Sequence, residues 1–138
     1  MPLIKGWPIY TLEMLMTSGF GNYDLRDRLN QLKLQLKTVI DFQLELNIHQ
    51  GGMTQEQAVQ YMTRGGFQTQ IEAERNWNHI CVNPGEAAYT YIGYQEILDI
   101  EKEYKKLKGD AFNQSEFLQN LTNFGALSIR QLKNKVVK

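Results

Sequence analysis

Five times in this chain a helix-capping residue is followed three positions later by glutamate or glutamine, and then by apolar residues at helical spacing. The pairs are Thr54 with Gln57, Thr69 with Glu72, Asn83 with Glu86, Asn113 with Glu116 and Ser128 with Gln131. In such a pair the first side chain accepts from the N–H at the third helical position, and the glutamate or glutamine reaches back to the cap's own N–H. No stretch of the sequence shows the period-two alternation of a half-buried strand. The chain is therefore expected to be all-α, with about seven helices in one irregular antiparallel bundle over residues 1–138.

The longest composite signal runs from Asn83 to Gly109. Asn83 can cap, Pro84 suits the first helical position, and Gly109 is placed for a left-handed stop. Its first half, through Tyr89, Tyr91, Ile92, Tyr94, Ile97 and Leu98, is apolar on nearly every face. Its second half, from Glu101 to Lys108, is charged and solvated, with Tyr104 and Leu107 inward. Upstream, Pro8 lies near the start of a first helix with Ile9, Leu12, Leu15 and Met16 inward. A second helix, from about Asp24 to about Ile48, carries Leu25, Leu29, Leu32, Leu36 and Val39 at steps of four and three, the spacing of a bundle seam. Shorter helices follow at each cap, with Gly65 and Gly66 closing one and Gly125 another. Phe117, Leu121 and Phe124 face inward in the next-to-last helix, and Ile129, Leu132 and Val136 in the last.

Composition closes off several functions. Fifteen basic and fifteen acidic residues among 138 give a formal net charge of zero, so no global field favours nucleic acid or an anionic membrane. The basic cluster Arg130, Lys133, Lys135 and Lys138 reads as the polar face of the last helix. One cysteine, Cys81, excludes an intrachain disulfide, and no run approaches a membrane span. The first residues lack the charged and apolar regions of a signal peptide, which leaves the location of the protein open.

Metal and nucleophile chemistry is equally constrained. His79 and Cys81 lie about 200° apart on a helix and cannot share an ion, and no HExxH is present. Cys81 reads as a small apolar side chain, since no electropositive neighbour is visible to activate it. His49, at a helix C-terminus, suits a dipole-stabilised imidazolium. The tyrosines Tyr89, Tyr91 and Tyr94 sit beside Gly85 and Gly93. They read either as core packing, with the glycines permitting close helix approach, or as a pocket wall in which one phenol donates to a developing oxyanion.

The ordered series GWPIY (Gly6 to Tyr10), NIHQGGMTQEQAVQYM (Asn47 to Met62), EAER (Glu72 to Arg75), PGEAAYTYIGYQEIL (Pro84 to Leu98), KGDAF (Lys108 to Phe112) and FGALSIRQL (Phe124 to Leu132) resembles the C-terminal part of a large bacterial family. It is the domain-of-unknown-function family numbered eight-eight-five, whose members are similar to helical zinc peptidases. The resemblance covers essentially the whole chain. It implies a metallopeptidase-like fold in which an HExxH helix, upstream of the residues present here, supplies two histidine ligands and a general base. The glutamate of an EGW motif supplies the third ligand.

This chain departs from that pattern at several places. Lys5 stands where the glutamate of EGW is expected, Thr90 where a tyrosine is usual, Leu118 where a histidine often occurs and Ser128 where proline is usual. On the resemblance, Tyr89, Tyr91 and His49 are the candidates for the catalytic, oxyanion-stabilising side. Trp7, Tyr10, Gly85, Thr90 and Gly93 are the candidates for the substrate pocket. Zinc is implied for the full-length family but no cofactor for this chain, and the partner is a peptide once upstream sequence completes the site. The chain alone is then expected to be inactive and to self-associate through exposed apolar helix faces. The reading from another class is an all-α interaction or dimerisation module.

Overall fold

Helices begin where the polar caps place them. In the computed structural model, which describes residues 2–125 and 127–137, Thr54, Thr69 and Ser128 each complete the reciprocal cap. Asn113 makes half of one, accepting from the Glu116 N–H at 3.0 Å. The described residues form seven α-helices and no strand: α1 (Pro2–Thr17), α2 (Leu25–His49), α3 (Gln55–Gly65), α4 (Gln70–Val82), α5 (Glu86–Lys108), α6 (Gln114–Thr122) and α7 (Ile129–Val136). Short 3-10 turns follow α1 and α5. The first helix starts six residues before Pro8, which lies inside it.

Two apolar clusters organise these helices. One gathers Leu3, Ile9 and Tyr10 of α1 with Tyr94, Ile97, Ile100 and Tyr104 of α5, Phe117 and Leu121 of α6, and Leu132 and Val136 of α7. The other joins Ile40 and Leu44 of α2 to Ala58, Val59 and Met62 of α3 and to Ala73 and Ile80 of α4. Phe124 and Leu15, expected inward, are exposed. Phe124 lies beyond the end of α6, and Leu15 falls on the outer side of α1. In the basic C-terminal cluster, Lys133 pairs with Glu103 of α5 at 2.6 Å, while Lys138 lies outside the described residues.

The closest helix contact is between α1 and α5, which run in the same direction. Gly6 faces Gly93 and Tyr94, and further along Met14 and Thr17 share a crevice with Glu101 and Lys105. Both glycines are buried. A Cβ on Gly6 would fall 2.1 Å from the Tyr94 backbone N, and one on Gly93 would fall 1.9 Å from the Pro2 carbonyl oxygen. Only hydrogen at both positions allows the backbones to approach this far.

The first three residues of the seam expected of α2 face outward, while Leu36 packs against the second cluster. Leu25, Leu29 and Leu32 are 83%, 59% and 44% exposed, whereas the buried residues of α2 include Gln31, Thr38 and Glu45. Those three polar residues recur at intervals of seven, so α2 carries two stripes of coiled-coil spacing. The polar stripe faces the protein. Most of its polar atoms have partners; the Gln31 amide oxygen accepts from Arg28, while its buried amide nitrogen is left without one. Thr38 donates to the Leu34 carbonyl, and Glu45 accepts from three backbone N–H groups.

Candidate functional site

The start of α5 is capped from a distance. Asn83 does not cap α5; it ends α4, where its side-chain amide donates to the His79 carbonyl at 2.9 Å. The residue before α5 is Gly85, at φ 90°, a left-handed conformation that glycine alone adopts at no steric cost. With no cap side chain of its own, the helix is completed by the Glu45 carboxylate. It accepts from the N–H groups of Gly85 at 2.5 Å, Ala87 at 2.8 Å and Ala88 at 3.1 Å. A buried charge is tolerated here because it meets three unpaired donors and the positive end of the helix dipole.

Around this cap lies a polar cavity of about 160 Å³, between α2, the end of α4 and the start of α5. Lys37, Asp41, Glu45, His79, Glu86 and Thr90 contribute to its wall. On the α2 side, Lys37 pairs with Asp41 and donates to Asn76 Oδ1 at 2.9 Å, while Asn76 donates to Asp41 Oδ1 at 2.6 Å. Buried Asn76 is thus fully engaged and clamps α4 to α2.

At the cavity mouth Glu86 is shared between two cations or donors. Lys5 of α1 pairs with one carboxylate oxygen, and His79 Nε2 lies 3.3 Å from the other. The Lys5 hydrogen bond, joined by the charge of Lys5 and by His79, holds the Glu86 carboxyl below the usual carboxylate range. The Asn83 amide N–H lies 3.3 Å from His79 Nδ1, which makes Nδ1 the acceptor and places the imidazole proton on Nε2, toward Glu86. Both ring nitrogens of His79 thus face polar partners.

Of the residues singled out in the sequence, few meet here. Thr90 faces the cavity, and its hydroxyl donates to the Glu86 carbonyl at 2.9 Å. Successive helical residues point about 100° apart, and its neighbours accordingly point elsewhere. Tyr89 is exposed, and Tyr91 stacks on Phe42 with ring centroids 4.7 Å apart. Gly85 serves the cap. His49 lies one turn beyond Glu45 on α2, where its Nε2 donates at 3.2 Å to the carbonyl of Ile80, a residue of the cavity wall.

Gly93, Trp7 and Tyr10, expected in a pocket wall, belong instead to the α1–α5 contact and the core beneath it. Trp7 packs on Tyr10, which meets Phe117 edge-on at 6.5 Å and accepts from Gln114 at 2.9 Å. The buried Tyr94 phenol donates to Glu13 and accepts from Gln35 at 2.7 Å. Burial first, and then the carboxylates Glu13 for Tyr94 and Glu101 for Tyr10, push both phenols above their ordinary range. These are structural tyrosines, not acids poised near neutral pH.

The donor set does not suit a metal. Among the described residues no three His, Cys, Asp or Glu side chains converge on one point. At the position where the resemblance implies a carboxylate ligand, the Lys5 ammonium is already paired with Glu86. Glu45 is the residue that the sequence reading missed, and His79 was weighed there only as a metal ligand. The interval of seven among Gln31, Thr38 and Glu45 was a visible sign of an inward polar stripe.

The fold and the site define an all-helical domain with a polar cleft walled by the start of one long helix, with no assembled metal centre among the described residues. Residues 3–136 match the family described as "Bacterial protein of unknown function (DUF885)", and the chain belongs to that family. No curated protein matches it. Among solved structures it is similar to one from Shewanella oneidensis described as "a putative lipoprotein of unknown function", with a TM-score of 0.91 and 31% identity. The likeness covers 99% of this chain and 25% of that one, so the chain spans about a quarter of its structural relative. No helix among the described residues is long and apolar enough to cross a membrane.

Proposed function

We propose that this chain is the C-terminal helical portion of a larger, peptidase-like protein, in which it supplies a binding wall for peptide and no metal ligand. One observation carries the reading. The apolar stripe Leu25, Leu29 and Leu32 faces outward while α2 buries Gln31, Thr38 and Glu45, an arrangement that makes sense when further polypeptide covers the leucines. The longer Shewanella chain supports it, because three-quarters of that protein lies outside the matching part. The polar cleft at the start of α5, with Thr90 on its wall, faces the ligand in this reading. Tyr89, exposed beside it, is the phenol free to reach that ligand.

The purified, untagged chain is expected to carry no stoichiometric zinc by elemental analysis and to leave unstructured peptides intact. Stoichiometric zinc with chelator-sensitive hydrolysis would overturn the proposal. The second reading, an all-α dimerisation module, draws on the same leucine stripe. A discrete, tight dimer that binds no hydrophobic dye would favour it.

A further inference from the structure

A groove of about 520 Å³ runs between α2 and α4, along the link from α3 to α4, and meets the polar cavity at Lys37 and His79. Its size falls within the roughly 300–1,000 Å³ typical of small-ligand sites. Three features bear on what this groove can hold. The first is Phe67, at φ 54°, a left-handed conformation that costs a side-chain-bearing residue on the order of 1–2 kcal/mol. It is the left-handed stop of α3: Gly65 and Gly66 precede it without taking that conformation, and the turn lets the Gln68 N–H donate to the Met62 carbonyl at 3.3 Å. The Phe67 side chain gains little in return, since the residue is 69% exposed.

The second is the carboxamide of Gln68. Its nitrogen and its oxygen are both shut off from water without a hydrogen-bond partner, leaving one donor and one acceptor unspent. The third is charge. Among the described residues neither Lys33 nor Arg75 is in an ion pair, although both line the groove. Lys37 is committed to Asp41 and Asn76. Glu72, the carboxylate in the wall, is held in the Thr69 cap at 2.8 and 2.9 Å.

We propose that this groove binds the carboxyl terminus of a peptide that ends in an apolar residue. The terminal carboxylate lies between Lys33 and Arg75, whose guanidinium suits two-point recognition of a carboxylate. The last side chain packs on Phe67 and Leu34, and the last peptide group offers its N–H and C=O to the Gln68 carboxamide. A rotamer change of Gln68, with the Phe67 stop kept, brings its carboxamide to the peptide. An inorganic anion would leave the aromatic floor and the carboxamide unused, and a fatty acid would leave the carboxamide unpaired. From the function proposed above, this inference takes only that the ligand is a peptide.

The test is titration of the full chain with acetyl-Ala-Ala-Phe bearing a free carboxylate, and with the same peptide as its C-terminal amide. The free acid is expected to bind at least about tenfold more tightly, with affinity falling as salt rises. Arg75→Ala and Lys33→Ala should each weaken the acid several-fold and leave the amide little changed. Phe67→Gly should weaken binding without lowering the melting temperature, because glycine accepts the left-handed backbone; a merely structural Phe67 would leave affinity unmoved. Equal affinity for acid and amide, no binding of either, or indifference to Arg75→Ala would overturn the inference. Neither result alters the zinc and hydrolysis outcomes, so the two proposals fail separately.

Discussion

Replacing Gly93 with alanine is expected to lower the unfolding free energy by about 2 kcal/mol or more and the melting temperature by on the order of 10 °C. The added methyl would sit 1.9 Å from the Pro2 carbonyl oxygen and 2.4 Å from its carbon. These are backbone atoms of α1, which no rotamer change can move aside. The helices must separate, and separation loosens Leu3, Ile9 and Tyr10 against Tyr94 and Ile97, the centre of the larger core cluster. Alanine's better helix propensity returns about 1 kcal/mol, less than overpacking against backbone takes away. Gly6→Ala should behave alike, its methyl lying 2.1 Å from the Tyr94 nitrogen. Gly65→Ala provides the control. It lies in α3 with open space around its would-be Cβ and should be neutral or stabilising by up to about 1 kcal/mol. Urea denaturation with unchanged m-values reads all three.

The second large effect is expected at Glu45. Glu45→Ala removes the acceptor of three N–H groups at the start of α5 and opens a void beside the polar cavity, at a cost of about 3–4 kcal/mol. Glu45→Gln keeps the shape and one acceptor oxygen, but turns an amide donor toward N–H groups that are themselves donors. Its cost is smaller, about 2 kcal/mol. Hydrogen exchange locates the effect: the Gly85, Ala87 and Ala88 amides should exchange faster in both variants, while those in the middle of α3 change only as global stability does. Unchanged protection at these amides would show that the Glu45 carboxylate does not hold the start of α5.

The same carboxylate explains where the chain was legible. Thr54, Thr69 and Ser128 are local devices, complete within four residues, and the helices begin where they stand. Asn83, Pro84 and Glu86 had the same local form, yet α5 starts after Gly85, with its cap supplied from Glu45, forty residues upstream. A contact of that range leaves no local trace in the sequence. The misjudged start of the α2 seam has a related cause. Periodicity identifies a stripe but not its direction, and an outward apolar stripe beside an inward polar one defeats the rule that leucines face in.

The candidate site was less legible than the fold. Tyr89, Thr90 and Tyr91 were three plausible wall residues in consecutive positions, and only the helical phase set by the Glu45 cap places Thr90 at the cavity. Gly93 and Tyr10 carried the right signal, close approach and a phenol needing a partner, but their partners are α1 and Gln114. The pairing of Lys5 with Glu86 draws on residues 81 apart. It turns Lys5, at the position where the resemblance implies a glutamate, into a contact between α1 and the cleft.

The most direct test of this account is the behaviour of the α2 leucines in the purified chain, followed by light scattering over a wide concentration range with a hydrophobic dye present. The account predicts a mass that rises with concentration together with dye binding, and the loss of both, at an unchanged melting temperature, in the combined Leu25→Gln, Leu29→Gln and Leu32→Gln variant. A wild-type chain that stays monomeric at high concentration and binds no dye would contradict it.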